Sequence, residues 1–226
     1  MLNILYEKLT TCRAAAMRRA FALSVLAALG GCQTFPLTPT EFGMSLESEP
    51  FVQQRASDAW VAVDGTQLVL ERALGPVSEQ RILLPNRTAL SGENVMHLRA
   101  RRGDLVNMGR FRPLDLLGPE GTPHPFDPFE DLSFRTEDDV LGTLSWAVWT
   151  NQAGLNCVLA FRRLDATTRV VPADAAIADM MLRNCIHGSV EEALEPARPS
   201  VSGFAATGLP ARGAPEMLSP LAGPQP

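Results

Sequence analysis

The sequence predicts an α+β fold: a single domain rich in antiparallel strands with one or two short helices, flanked by a signal peptide and a disordered tail. Three observations carry this expectation. Short apolar runs, several of them alternating, recur between turn signals over residues 55–185. The pattern Ser189-Val190-Glu191-Glu192 is a capping box that marks a short helix after the last run. Ahead of the domain lies a hydrophobic stretch ending in Gly30-Gly31-Cys32, and behind it a Pro-, Gly- and Ala-rich segment.

The leader comes first. Arg18 and Arg19 precede a short apolar core over residues 20–28, and Leu29-Gly30-Gly31 supplies small residues at a cut site. Positive start, apolar core and small cleavage residues define a secretory signal. The core is too short to span a bilayer as a stable helix. The cysteine at the cut resembles the bacterial lipobox, in which that residue is acylated and becomes the new N-terminus. Residues 1–31 therefore read as a lipoprotein signal peptide, with 17–31 as its core because Met17-Arg18-Arg19 opens a compact signal by itself. Cys32 is the expected lipidation site. One acyl chain holds weakly and two or more hold firmly. Gln33 stands where an aspartate would cue inner-membrane retention, so the expected location is the outer membrane, on its periplasmic face.

Residues 32–54 read as a flexible tether, broken by Pro36, Pro39, Gly43 and Pro50. The domain is expected over 55–195. Trp60-Val61-Ala62-Val63 and Gln67-Leu68-Val69-Leu70 flank Asp64-Gly65 and read as a hairpin. Residues 79–84 form another strand, stopped by Pro85. Residues 94–102 alternate, with Met96, Leu98 and Ala100 on one face and His97, Arg99 and Arg101 on the other. Residues 118–129 form a proline-rich surface loop. Thr136 followed by Glu137, Asp138 and Asp139 predicts a helix start. Residues 145–149 and 156–161 pair across a turn at 151–154. Residues 179–185 follow as a strand that sets Cys185 beside Cys157, and a final short helix covers 190–195. The stretch 196–226, with seven of the chain's 18 prolines, reads as disordered.

Composition limits the function. The chain carries a net charge of −5; removing the leader leaves 195 residues, a net charge of −8 and no lysine. Such a balance disfavours nucleic-acid binding. It also disfavours electrostatic docking to anionic lipid, which leaves anchoring to the acyl chains. Of the four cysteines, Cys12 leaves with the leader and Cys32 takes lipid. In an oxidising envelope compartment, Cys157 and Cys185 are expected to form a disulfide. Two buried thiols, or a metal pair helped by His187, are the alternatives.

Motifs for catalysis are missing from the sequence. Gly43-Met44-Ser45-Leu46-Glu47 lacks the second glycine of a nucleophile elbow, and no zinc-protease or phosphate-loop pattern occurs. The chain is therefore read as no enzyme, with neither cofactor nor metal. Glu130-Asp131 and the acids at 137–139 suggest a cation site or the paired acids of a glycosidase, but helix-start acids explain the second group more simply. Trp60, Trp146 and Trp149 are assigned to packing. His97, Arg99, Arg101 and Arg102 form the most basic cluster, a candidate surface for an acidic partner or a saccharide because guanidinium forks suit carboxylates and phosphates. A solvated strand face is the competing explanation.

Two stretches resemble the BcsN family of cellulose biosynthesis proteins. One is Glu79-Gln80-Arg81-Ile82-Leu83-Leu84-Pro85-Asn86-Arg87-Thr88, running on to Gly92-Glu93-Asn94-Val95. The other runs from Asn156-Cys157-Val158-Leu159-Ala160-Phe161-Arg162-Arg163 through Met181-Leu182-Arg183-Asn184-Cys185 to Ser189-Val190-Glu191-Glu192-Ala193-Leu194. The resemblance implies an accessory envelope protein for making or exporting a cellulose-like polysaccharide, partnered by synthesis or export proteins, and implies no catalytic residue. An envelope-assembly or pilus-associated lipoprotein and a periplasmic hydrolase are the other classes the residues leave open.

Overall fold

A computed structural model describes residues 38–103, 109–169, 171 and 175–203. The chain divides into two compact units, residues 1–43 and 44–226. The division falls within helix α1 (Pro39–Ser48), whose start is capped by Thr38: its Oγ1 accepts from the Glu41 amide, and the Glu41 carboxylate accepts from the Thr38 amide at 2.8 Å.

The second unit is built on one antiparallel sheet of eight strands: β1 (Val52–Gln54), β2 (Leu68–Leu74), β3 (Val77–Leu84), β4 (Asn94–Arg101), β5 (Arg135–Asp139), β6 (Gly142–Thr150), β7 (Leu155–Asp165) and β8 (Ile177–His187). The order across the sheet is β1-β2-β3-β4-β8-β7-β6-β5. Two four-stranded meanders thus meet at the β4–β8 pair. After β8 come α2 (Val190–Leu194), a 3-10 turn (Glu195–Ala197) and α3 (Pro199–Ser202). The fold is the α+β class that the alternating runs predict.

Strand alternation gives the sheet two faces. On the first, Ile82, Met96, Leu98, Met180, Leu182 and Leu144 are fully buried. They are covered by the segment Ala59-Trp60-Val61 and, at the other end, by Ala193, Leu194 and Ala197. On the second, Cys157, Leu159, Phe161 and Met181 pack under Leu116 and Phe126 from the long connection between β4 and β5. The tryptophans assigned to packing do pack: Trp60 and Trp146 join the first cluster, and Trp149 lies against the second.

Four local expectations need correction. The strand at 60–63 is a loop instead, with Trp60 and Val61 buried, Ala62 exposed and a single bridge at Val61. Its turn is real, with Gly65 at φ 77° and Thr66 N donating to Val63 O, but no hairpin forms across it. Side chains take the place of a ladder there: Trp60 N donates to the Gln80 side chain at 2.6 Å, and its carbonyl accepts from Arg169 at 3.1 Å. The helix expected from Thr136 is the edge strand β5. Its acids face cations and hydroxyls rather than helix amides: Asp139 accepts from Arg162, Glu137 from Arg198 and Asp138 from Thr143. A short, charged strand also blunts edge-to-edge pairing with other chains. Within residues 32–54, expected as a flexible tether, the described part holds α1 and β1. Residues 196–203, expected within the disordered stretch, are folded onto the domain: Pro196 and Pro199 occupy first-turn positions, where a missing N–H costs nothing, and Pro196, Ala197 and Ser202 are buried; residues 204–226 lie outside the described residues.

Candidate functional site

The second face of the sheet carries a row of charges across five adjacent strands. In register from edge to centre stand Arg72 on β2, Glu79 on β3, Arg99 on β4, Asp179 on β8 and Arg163 on β7. Signs alternate along the whole row. Arg72 Nε donates to one Glu79 oxygen at 2.6 Å, and Arg99 Nε donates to the other. Arg163 grips Asp179 with a fork, Nε to Oδ1 at 2.6 Å and Nη2 to Oδ2 at 3.0 Å. Arg101, two residues along β4, also reaches Asp179 Oδ2.

His97 closes the row from the β4 side. Its Nδ1 lies 3.1 Å from the Leu116 carbonyl, which can only accept, so Nδ1 holds a proton. Its Nε2 is turned toward Glu79 at 3.7 Å. Glu79 has no exposed surface, and that burial works against its charge. Hydrogen bonding and attraction from His97, with the charges of Arg99 and Arg72, more than offset the burial and hold its carboxyl well below the usual carboxylate range.

The four residues of the basic cluster thus separate. His97 is buried, Arg99 and Arg101 are engaged in ion pairs, and Arg102 is exposed just past β4, donating to Gly75 O at 3.2 Å. Met96, Leu98 and Ala100 lie on the face opposite His97, Arg99 and Arg101, as the alternation along β4 predicts. The acids of the polar face are buried while its arginines stay partly open, and Arg72 and Arg163 also bind loop carbonyls, Arg72 donating to Glu47 O and Arg163 to Gly109 O. Glu79, Asp179, Arg72 and Arg163 were not singled out, since only cross-strand register brings them to His97 and Arg99.

Other arginines act as clamps on the backbone. Arg183, almost fully buried, donates to the carbonyls of His124, Glu93 and Ser91 at 2.7, 2.7 and 2.8 Å, pinning two loops to β8. Burial works against its charge, with partial compensation from Glu93. Gly92 sits so close that a Cβ there would meet the guanidinium at 3.0 Å. Asn86 of the Asn-Arg-Thr stretch is a turn residue, accepting from Thr88 and donating to Leu90 and Gly92 carbonyls. Five donors on one rigid group make arginine suited to this work.

Cys157 and Cys185 are directly paired across β7 and β8 and joined as a disulfide, both without exposed surface. Cys32 lies outside the described residues, as do residues 1–31, expected as the signal peptide. Among the described residues, no three His, Cys, Asp or Glu side chains are placed to hold a metal, and no helix is long and apolar enough to cross a membrane. Compared with protein families, curated proteins and solved structures, the chain matches none.

Proposed function

We propose that the protein is an outer-membrane lipoprotein, anchored at the periplasmic face through Cys32, that serves as a non-catalytic accessory factor in biosynthesis or secretion of a cellulose-like exopolysaccharide. The observation that carries this reading is the pairing of a lipobox-like Leu29-Gly30-Gly31-Cys32 with a disulfide between Cys157 and Cys185. A bridge of this kind persists in oxidising envelope compartments. The polysaccharide role draws on the resemblance of residues 79–95 and 156–194 to BcsN proteins.

Mechanistically, the lipid confines a stiff sheet to the membrane surface and raises its effective concentration beside its partners. The charged row supports this role by fixing the sheet internally. The experiment is deletion in the native host, with secreted glucan quantified by dye binding and acid hydrolysis. Loss of extracellular polymer with synthase activity retained is the expected result. Unchanged polymer, or a defect confined to pili, overturns the proposal.

A further inference from the structure

At one end of the first face, a cleft of about 440 Å³ opens between the 63–65 turn, the ends of β3 and β8, and the turn after α2. That volume lies in the range of small-molecule sites. Its walls are aliphatic: Val63, Leu84, Pro85, Ile186 and Pro196. Three exposed polar side chains, Asp64, Arg87 and His187, ring the mouth.

The floor carries the decisive group. Asn184 is 6% exposed. Its Nδ2 donates to the Ala193 carbonyl at 2.9 Å, and because that oxygen only accepts, the amide orientation is fixed. Oδ1 is therefore the end presented to the cleft, and it accepts from none of the described residues. Oδ1 is open to solvent in the cleft, where a ligand hydroxyl can replace water as its donor.

We propose that this cleft binds a neutral saccharide unit. A hydroxyl donates to Asn184 Oδ1 and to Asp64, and the same class of group accepts from Arg87. The C–H face of a pyranose ring suits the aliphatic walls. A carboxylate pairs with Arg87, but it has no proton for Asn184 and meets Asp64 with like charge. An alkyl chain leaves Asn184 unsatisfied. Choosing a β-linked glucan as the ligand rests on the proposed function; the demand for a polyhydroxyl ligand rests on the cleft alone.

The test titrates the full-length protein calorimetrically with cellotetraose, maltotetraose, hexanoate and tetraglycine. Cellotetraose is expected to bind in the millimolar range or tighter. Asp64→Ala and Arg87→Ala, both at exposed positions, should together weaken it by about tenfold, the loss of two modest hydrogen bonds. Asn184→Ala should abolish binding; because it also frees the Ala193 carbonyl, its melting curve is recorded alongside, and the two exposed variants keep the test decisive if it unfolds.

Several outcomes overturn the site: no saccharide binding, binding unchanged in the Asp64/Arg87 double variant, or preference for tetraglycine or hexanoate. A preference for maltotetraose that is lost in the double variant supports the saccharide site and counts against the cellulose role. Cellotetraose binding without a polymer defect on deletion likewise keeps the cleft and removes the proposed function.

Discussion

Arg162 on β7, with no exposed surface, donates through Nη1 to the carbonyl of Ala197 at 2.8 Å and so ties the C-terminal turn to the sheet. Its Nη2 reaches Asp139 at 2.7 Å and Gly142 O at 3.0 Å, locking the β5–β6 hairpin as well. One guanidinium thus joins a strand, a hairpin and a segment that composition alone assigns to disorder. Arg162→Leu should cost about 3 kcal/mol, the penalty of breaking a buried ion pair from one side. Urea unfolding checks this; a loss under about 0.5 kcal/mol refutes the clamp.

The same contact makes a truncation prediction. A chain ending at 203 keeps Ala197, Ser202 and their bonds, whereas a chain ending at 195 loses them. Ser202 O accepts from the Arg169 guanidinium, and Ser202 Oγ donates to Pro196 O at 2.7 Å. The 203 form should unfold with the full chain. The 195 form should melt lower by several degrees, as expected when roughly 1–2 kcal/mol is lost from a domain of this size. Identical melting of the two truncations would refute the view that residues 196–203 belong to the domain.

Glu79 should set much of the acid sensitivity. Its folded carboxyl is held below the ordinary value of 4.5 by His97, Arg99 and Arg72 against the opposing effect of burial. A depressed folded pKa contributes stability that is complete above the unfolded value and is lost as pH falls toward the folded one. Stability of the wild type should therefore decline as pH drops below about 4.5. Glu79→Gln should be less stable at neutral pH, by about 3 kcal/mol, because Arg72 and Arg99 lose their shared carboxylate. Its stability should also fall less steeply below pH 4.5. Parallel pH profiles for the two proteins would contradict the charged row as drawn.

The fold was legible where the signal is local. β3, β4, β6, β7, β8 and α2 follow from alternation, turn residues and the Ser189–Glu192 capping box, which forms with Ser189 Oγ accepting from Glu192 N at 3.1 Å. β5 was misread because a run of acids after a threonine has the same local chemistry at a helix start and on a charged edge strand. Trp60 looked like strand because it is buried and its backbone is satisfied by Gln80, 20 residues away, and Arg169, 109 residues away. The charged row was out of reach for the same reason. Arg99 and Arg101 were visible as cations, but Glu79 lies 20 residues from one and Asp179 lies 78 from the other. Only the order of strands reveals that the cations face acids.

The bridge between β7 and β8 closes a separation of 28 residues. Limiting the unfolded chain to that loop is worth about 3.5 kcal/mol in the chain-entropy description. Replacing both Cys157 and Cys185 by Ala should lower stability by that order while leaving the strands paired, since each is 11 residues long and β8 is held by β4 on its other side. Dithiothreitol should destabilise the wild type and leave the double variant unmoved. Equal sensitivity of the two proteins to reductant would exclude the bridge as its target.

Anchoring makes the last prediction. If Cys32 is acylated, the body reaches the membrane through lipid alone, because a mature chain of net charge −8 gains nothing from an anionic surface. High salt should then fail to strip the protein from membranes, whereas detergent should release it. Cys32→Ser removes the acceptor sulfur and should leave the protein unlabelled by radioactive palmitate. In the periplasm the variant should also remain oxidised at Cys157 and Cys185, since the bridge depends on the compartment and not on the anchor. Equal palmitate incorporation by wild type and variant would remove the anchor from the account. Recovery of the wild type in the cytosol with an intact leader would remove the envelope location and, with it, the oxidising conditions that the disulfide requires.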